Sequence, residues 1–347
     1  MHQTTSGGIR PMNADIISVP AKLDTLAALR VASDIENAAA NGDVTIDFAR
    51  LEIPEPFAML HLACAARDQR ERGKKFTILN GDPNSYAARM GLLGEFDARY
   101  ERTEHGASEN GRFMAIRALS RGELHQTAKE INAAYVADAI EVISLKLGCI
   151  LTQDASPVLT YALSYCLREI VRNAYEHGEA DEILVCAQYR PAADRVDLAI
   201  ADRGRGILRT LRRNRRIKID TAMEAVKVAL LPGISGVPVS RSDEANPWAN
   251  SGYGLFMTHR ICREGGVFTI CSGDALIRLT SNRKIERVSM PVGTVIGLTV
   301  RLDLLCRLDR AALRRISAEG ERIAKSLRNA TVTASMASTS LRMSVES

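Results

Sequence analysis

Two glycine-spaced turns constrain this chain more than any other feature. The first, Asp202-Arg203-Gly204-Arg205-Gly206, closes an apolar alternating run, Arg195 to Ala201, that predicts a strand. The second lies in Ser251-Gly252-Tyr253-Gly254-Leu255-Phe256-Met257 and opens an amphipathic segment, Leu255 to Arg263, that predicts a helix. A carboxylate at a strand end followed by alternating glycines lets the backbone approach a flat ligand closely, while the carboxylate accepts a hydrogen bond from it. Glycines at a helix start expose N–H groups that suit phosphate oxygens. Either turn alone is a weak signal, since glycine pairs also serve as plain turns. Further on, Gly293-Thr294 opens another apolar alternating strand, Thr294 to Val300.

Upstream of these turns lies a helix with clear predicted ends: Ser156 as N-cap, Pro157 at the first helical position and Gly178 after the last turn. Its apolar stripe is Leu159, Leu163, Cys166, Leu167, Ile170 and Ala174. Beside the stripe stand Glu169, Asn173 and His177, four residues apart and so stacked on one side. A carboxylate there can act as a general base or hold a water, and the amide oxygen beside it is a hard ligand suited to Mg²⁺. An ordinary amphipathic helix with these residues on its polar margin is the competing interpretation.

Taken together, E-x-x-x-N-A on a helix, D-x-G-x-G, G-x-G-L and G-T resemble, in order and at similar intervals, the four boxes of the GHKL ATP-binding fold. Histidine kinases, anti-sigma-factor kinases, gyrase and the heat-shock chaperone share that fold. The resemblance covers about 150 to 302 and implies an α/β sandwich that binds ATP and Mg²⁺. By similarity, Asn173 coordinates the metal and Glu169 orients or deprotonates the attacking nucleophile. Asp202 accepts the adenine amino hydrogen bond, and Gly204 and Gly206 shape the adenine pocket. Gly252 and Gly254, with Leu255 following, present backbone donors to the phosphates, and Thr294 contributes beside the base. His177 matches a position near the phosphates, or is a structural histidine at the helix end.

The region between the glycine boxes, 207–250, is the expected ATP lid, with Gly233 to Pro238 as its hinge. A basic run leads into it: Arg203, Arg205, Arg209, Arg212, Arg213, Arg215, Arg216 and Lys218, with no acid before Asp220. Phosphate neutralisation, a docking surface for an acidic partner and a solvated helix face all remain open. Nucleic acid is disfavoured, because the run lacks aromatic residues.

The N-terminal part reads as a small α/β unit over 15–100, after a loose tail at 1–14. Val44 to Phe48 and Phe76 to Leu79 predict parallel strands, joined by a helix through Met59, Leu60, Leu62, Ala63 and Ala66, with a two-proline break from Leu51 to Pro56. This unit resembles a STAS domain, the fold of anti-sigma-factor antagonists. Those antagonists carry a phosphorylatable serine before the helix, whereas Ile53-Pro54-Glu55-Pro56-Phe57 offers no hydroxyl. A linker is expected at 101–112 and the ATP-binding domain at 113–305, entered by a strand from Phe113 to Leu119 and, on the helical spacing of Ile131, Tyr135, Ala139 and Ile143, a long helix from Glu123 to Leu147. A charged helix at 306–329 and a small, polar, disordered tail at 330–347 complete the plan.

Charged residues make up 25% of the 347 and apolar residues 46%, which suits a soluble globular chain, and a net charge of +5 says little about partners. The seven cysteines form no C-x-x-C pair and read as reduced core residues. Neither a signal peptide nor 18 consecutive apolar residues is evident, so the expected location is cytoplasmic and no membrane partner is expected. His125 lacks the acidic neighbour and proline of a histidine-kinase phosphoacceptor. Three functions follow from the resemblance: a regulatory kinase transferring the γ-phosphate to a partner protein, an ATP-hydrolysing conformational switch, in which homodimerisation would matter, and a non-catalytic nucleotide sensor.

Overall fold

The computed structural model describes residues 16–100, 112–152, 157–236, 251–305, 310–327 and 330. The expected N-cap Ser156, most of the expected linker, the second part of the expected lid (237–250) and both expected tails lie outside them, apart from residue 330.

The N-terminal unit comprises β1 (Ile16–Ser18), β2 (Lys22–Leu23), α1 (Thr25–Asn41), β3 (Val44–Asp47), β4 (Ile53–Pro54), α2 (Pro56–Glu71), β5 (Phe76–Leu79) and α3 (Tyr86–Arg89). After it come β6 (Phe113–Ser120), α4 (Arg121–Glu130), α5 (Val136–Thr152), α6 (Pro157–Arg172), β7 (Glu182–Arg190), β8 (Arg195–Asp202), α7 (Gly206–Leu211) and α8 (Ala222–Ala229). The remaining elements are α9 (Gly254–Gly265), β9 (Gly266–Leu279), β10 (Lys284–Arg301), α10 (Leu302–Leu305) and α11 (Arg310–Ser326). The fold class is mixed α/β. No helix of the described residues is long and apolar enough to cross a membrane.

Strands β1, β3 and β5 form a parallel three-stranded sheet, with the expected strand–helix–strand crossover through α2. An antiparallel sheet in the order β6-β7-β8-β10-β9 carries the rest of the chain. Its strands alternate in a way that buries both faces. Val196, Leu198 and Ile200 of β8 pack with α6 residues Leu163, Leu167 and Ile170, while Ala199 and Ala201 face the core of the N-terminal unit. Small side chains on that second face let a helix come close. Helix α2 packs on β7, β8 and β10, with the Phe57 ring against Gly297. The layers therefore run sheet, helices α1 and α2, sheet, then helices α5, α6 and α9, and the N-terminal core continues without interruption into the larger sheet.

Several expectations are corrected. The helix expected from Glu123 to Leu147 is two helices, broken where Asn132 adopts the left-handed region at φ 53°. The Leu51–Pro56 break contains β4, paired with β2, where a proline needs no donor of its own on a two-stranded edge. The strand expected at Thr294 begins earlier, at Lys284, and is irregular in register between Val288 and Thr294. Gly178 is not the left-handed cap of the site helix. The helix widens into a π turn over Asn173–Gly178, and Glu179 takes the left-handed cap at φ 52°.

Candidate functional site

The π turn is where the site begins. It carries Asn173 one turn and His177 about two turns beyond Glu169, and the D-x-G-x-G turn is joined directly to it. The Arg205 N–H donates to the Gly178 carbonyl at 3.0 Å. The chains approach so closely that a Cβ at Gly204 would collide with the Gly178 carbonyl oxygen. Within the turn, the Gly204 N–H donates to Asp202 Oδ1 at 2.9 Å. The next residues are tied to the sheet: the Ile207 N–H donates to Ser272 Oγ at 3.0 Å, and Ser272 Oγ lies 3.1 Å from Thr294 Oγ1. Thr210 Oγ1 donates to the Gly206 carbonyl at 2.9 Å and lies 3.2 Å from the His177 carbonyl.

The second glycine turn closes the other side. Gly252 has φ +72°, and a Cβ there would lie 2.5 Å from the Ile234 carbonyl oxygen. Its own carbonyl accepts from the Gly233 N–H at 3.1 Å. Helix α9 then starts at Gly254, whose backbone abuts the Glu169 carboxylate.

These elements enclose a cleft of about 920 Å³, its open mouth included. Glu169, Asn173, His177, Asp202, Gly206, Gly252, Gly254, Leu255 and Thr294 all line it. Gly204 does not line it and instead supports it through the Asp202 hydrogen bond. Ile170, Ala174, Ile200 and Ile296 supply apolar walls. The described part of the segment expected to form a lid contributes Ile207, Thr210, Leu211, Ala229 and Ile234 to Gly236.

Electrostatics divide the cleft. Burial pushes the Asp202 carboxyl up to about 7 against the opposing pull of the Gly204 amide. Burial also lowers the His177 imidazole below its ordinary range. Glu169 is buried and faces arginines: Arg168 Nη2 lies 3.0 Å from its Oε1 and Arg172 Nη1 3.9 Å. Arg172 also pairs with Glu176 at 3.0 Å. The Asn173 side chain has no hydrogen-bond partner among the described residues. No group of three or more His, Cys, Asp or Glu among those residues is placed to hold a metal.

The basic run is partly structural. Arg205 and Arg213 pair with Glu179, and Arg212 donates to the carbonyls of Ile219 and Asp220. Arg209, Arg215 and Lys218 are exposed. His125 is exposed, bonds the Tyr175 hydroxyl at 3.0 Å and does not line the cleft.

Reading the motifs did not identify Arg168, Arg172 or Ser272. A basic residue next to Glu169 was visible in the sequence, whereas the Ser272–Thr294 pairing depends on the register of β9 with β10. No family model, curated protein or solved structure matches the chain.

Proposed function

We propose that this chain is an Mg-ATP-binding regulator of the GHKL type, with a STAS-like N-terminal unit, that transfers the γ-phosphate to a hydroxyl of a partner protein. The observation that carries the reading is convergence: nine residues chosen from four separated motifs line one cleft. Asp202 would accept from the adenine amino group, between the apolar walls of Ile200 and Ile296. The N-terminal amides of α9 would face the phosphates, where the helix dipole favours negative charge.

The donor set fits Mg²⁺. Asn173 offers an unengaged amide oxygen one turn from the Glu169 carboxylate, and Mg²⁺ takes few protein ligands when phosphates and water supply the others. Bound there, the metal would neutralise charge on the transferring phosphoryl group. Glu169, paired with Arg168, would orient the acceptor hydroxyl and take its proton.

Those same arginines favour a second reading. A carboxylate oxygen already engaged by Arg168, with Arg172 close by, is not free to orient an acceptor hydroxyl, as expected of a nucleotide sensor without turnover. Calorimetric titration with Mg-ATP tests the shared part. Asn173→Ala and Asp202→Ala are each expected to weaken binding roughly tenfold to a hundredfold, and absence of binding by the wild type would refute both readings. Phosphate transfer to a partner then separates kinase from sensor.

A further inference from the structure

The turn that carries Asp202 is also held from behind, by the N-terminal unit. Its next residue, Arg203, points away from the cleft toward α2. Arg203 Nε donates to Asp68 Oδ1 at 3.0 Å, its Nη2 lies 2.9 Å from the same oxygen, and Nη2 also donates to Glu71. Asp68 and Glu71 are three residues apart and so share one face of α2. Beside them, Arg67 spans the boundary in the opposite sense. It pairs with Glu95 at 2.7 Å and with Glu182 at the start of β7, next to Ile183, the residue that pairs with Asp202 in the sheet. Two arginine–carboxylate bridges of opposite polarity thus join the units at the end of the sheet where the cleft opens.

The position of Arg203 gives this bridge leverage. It stands between Asp202 and Gly204, whose backbone is already confined by the Gly178 carbonyl and by the Asp202 carboxylate. Its contacts with Asp68 and Glu71 therefore add a lateral restraint to a turn already confined along its backbone. The bridge is partly exposed, with side-chain accessibilities of 25% for Arg203, 29% for Asp68 and 68% for Glu71. Pairs this exposed contribute little to global stability, so its effect falls on the local geometry of the turn.

We propose that Arg203 is a positioning residue through which the N-terminal unit sets the nucleotide affinity of the cleft, Asp68 and Glu71 holding the Asp202-Arg203-Gly204 turn in the conformation that presents the carboxylate to an adenine ring. This rests on the nucleotide reading above. By linkage, nucleotide in the cleft tightens the contact between the units, and a ligand that competes for Asp68 and Glu71 loosens the nucleotide.

The test uses the full-length chain, comparing wild type, Arg203→Gln, Asp68→Asn with Glu71→Gln, and the exchange Asp68→Arg with Arg203→Asp. The readouts are Mg-ATP affinity, hydrogen exchange of the amides at 204–207, and the urea midpoint. Breaking the bridge from either side should weaken ATP about fivefold to tenfold and speed exchange at 204–207, with little change in the midpoint, and the exchange of charges should recover affinity. Wild-type affinity in the bridge-breaking variants, or a loss that follows the urea midpoint and is not recovered by the exchange, overturns the proposal. No ATP binding by the wild type overturns the nucleotide reading and this proposal together, whereas binding with unchanged variants overturns the bridge alone.

Discussion

Burial and the Gly204 amide pull the Asp202 carboxyl in opposite directions, and burial wins, taking it up to about 7. An ordinary carboxyl in the unfolded chain titrates near 4. The folded chain therefore binds the extra proton between those values, so its nucleotide-free stability is full in acid and falls as pH rises toward 7, by roughly 4 kcal/mol. Asp202→Asn keeps an acceptor for Gly204 and has no charge to bury. Thermal melts without nucleotide should find it more stable than wild type at pH 8 and no more stable at pH 4, and equal melting temperatures at pH 8 would contradict the burial argument. At this scale, what the sequence revealed was whatever is local. Asp202, Asn173 and Glu169 announce themselves by residue type and near spacing, whereas the contacts of Arg203 with Asp68 and Glu71 cross more than 130 positions.

Elements were legible where one face is buried. The stripe Leu159, Leu163, Cys166, Leu167, Ile170 and Ala174 lies in the core as its spacing predicts, and Arg195 to Asp202 is a strand. The long helix expected before it was misread for a physical reason. Two of the residues that suggested its period, Ile131 and Tyr135, are 41% and 44% exposed, so their spacing reflects no packed face. The π turn left no pattern at all, because inserting a residue into a helix changes the aim of its side chains and not their types. It is nevertheless the element that seats the glycine turn. Gly204→Ala should strain that seat by about 1–3 kcal/mol and reduce nucleotide binding far more than Ala at an exposed loop glycine such as Gly73, whose Cβ would meet nothing. Calorimetry and urea melts of the two variants check this, although Gly73 also has a positive φ and will show a smaller backbone penalty of its own.

At the scale of the whole molecule, both faces of the large sheet are occupied, and one buried layer belongs to both halves of the chain. His61 lies within it, on the same side of α2 as Phe57 and stacked on that ring, with neither imidazole nitrogen partnered among the described residues. Burial lowers it to about 4. Here the sign opposes that of Asp202: the unfolded chain takes up the proton first, so stability is full above about 6.5 and falls by about 3 kcal/mol as pH drops toward 4. His61→Leu should flatten the acid limb of a stability–pH profile measured by urea titration, and an unchanged limb would place the sensitivity elsewhere. The shared layer also has a consequence in time. Phe57 meets its seat at Gly297 only after about 240 further residues have been made, on the order of ten to fifty seconds at ordinary ribosomal speed. Throughout that interval Phe57 lacks its seat, because β10 is the last made of the three strands that α2 packs on, so the newborn protein needs a chaperone's shelter longer than a two-domain layout would suggest.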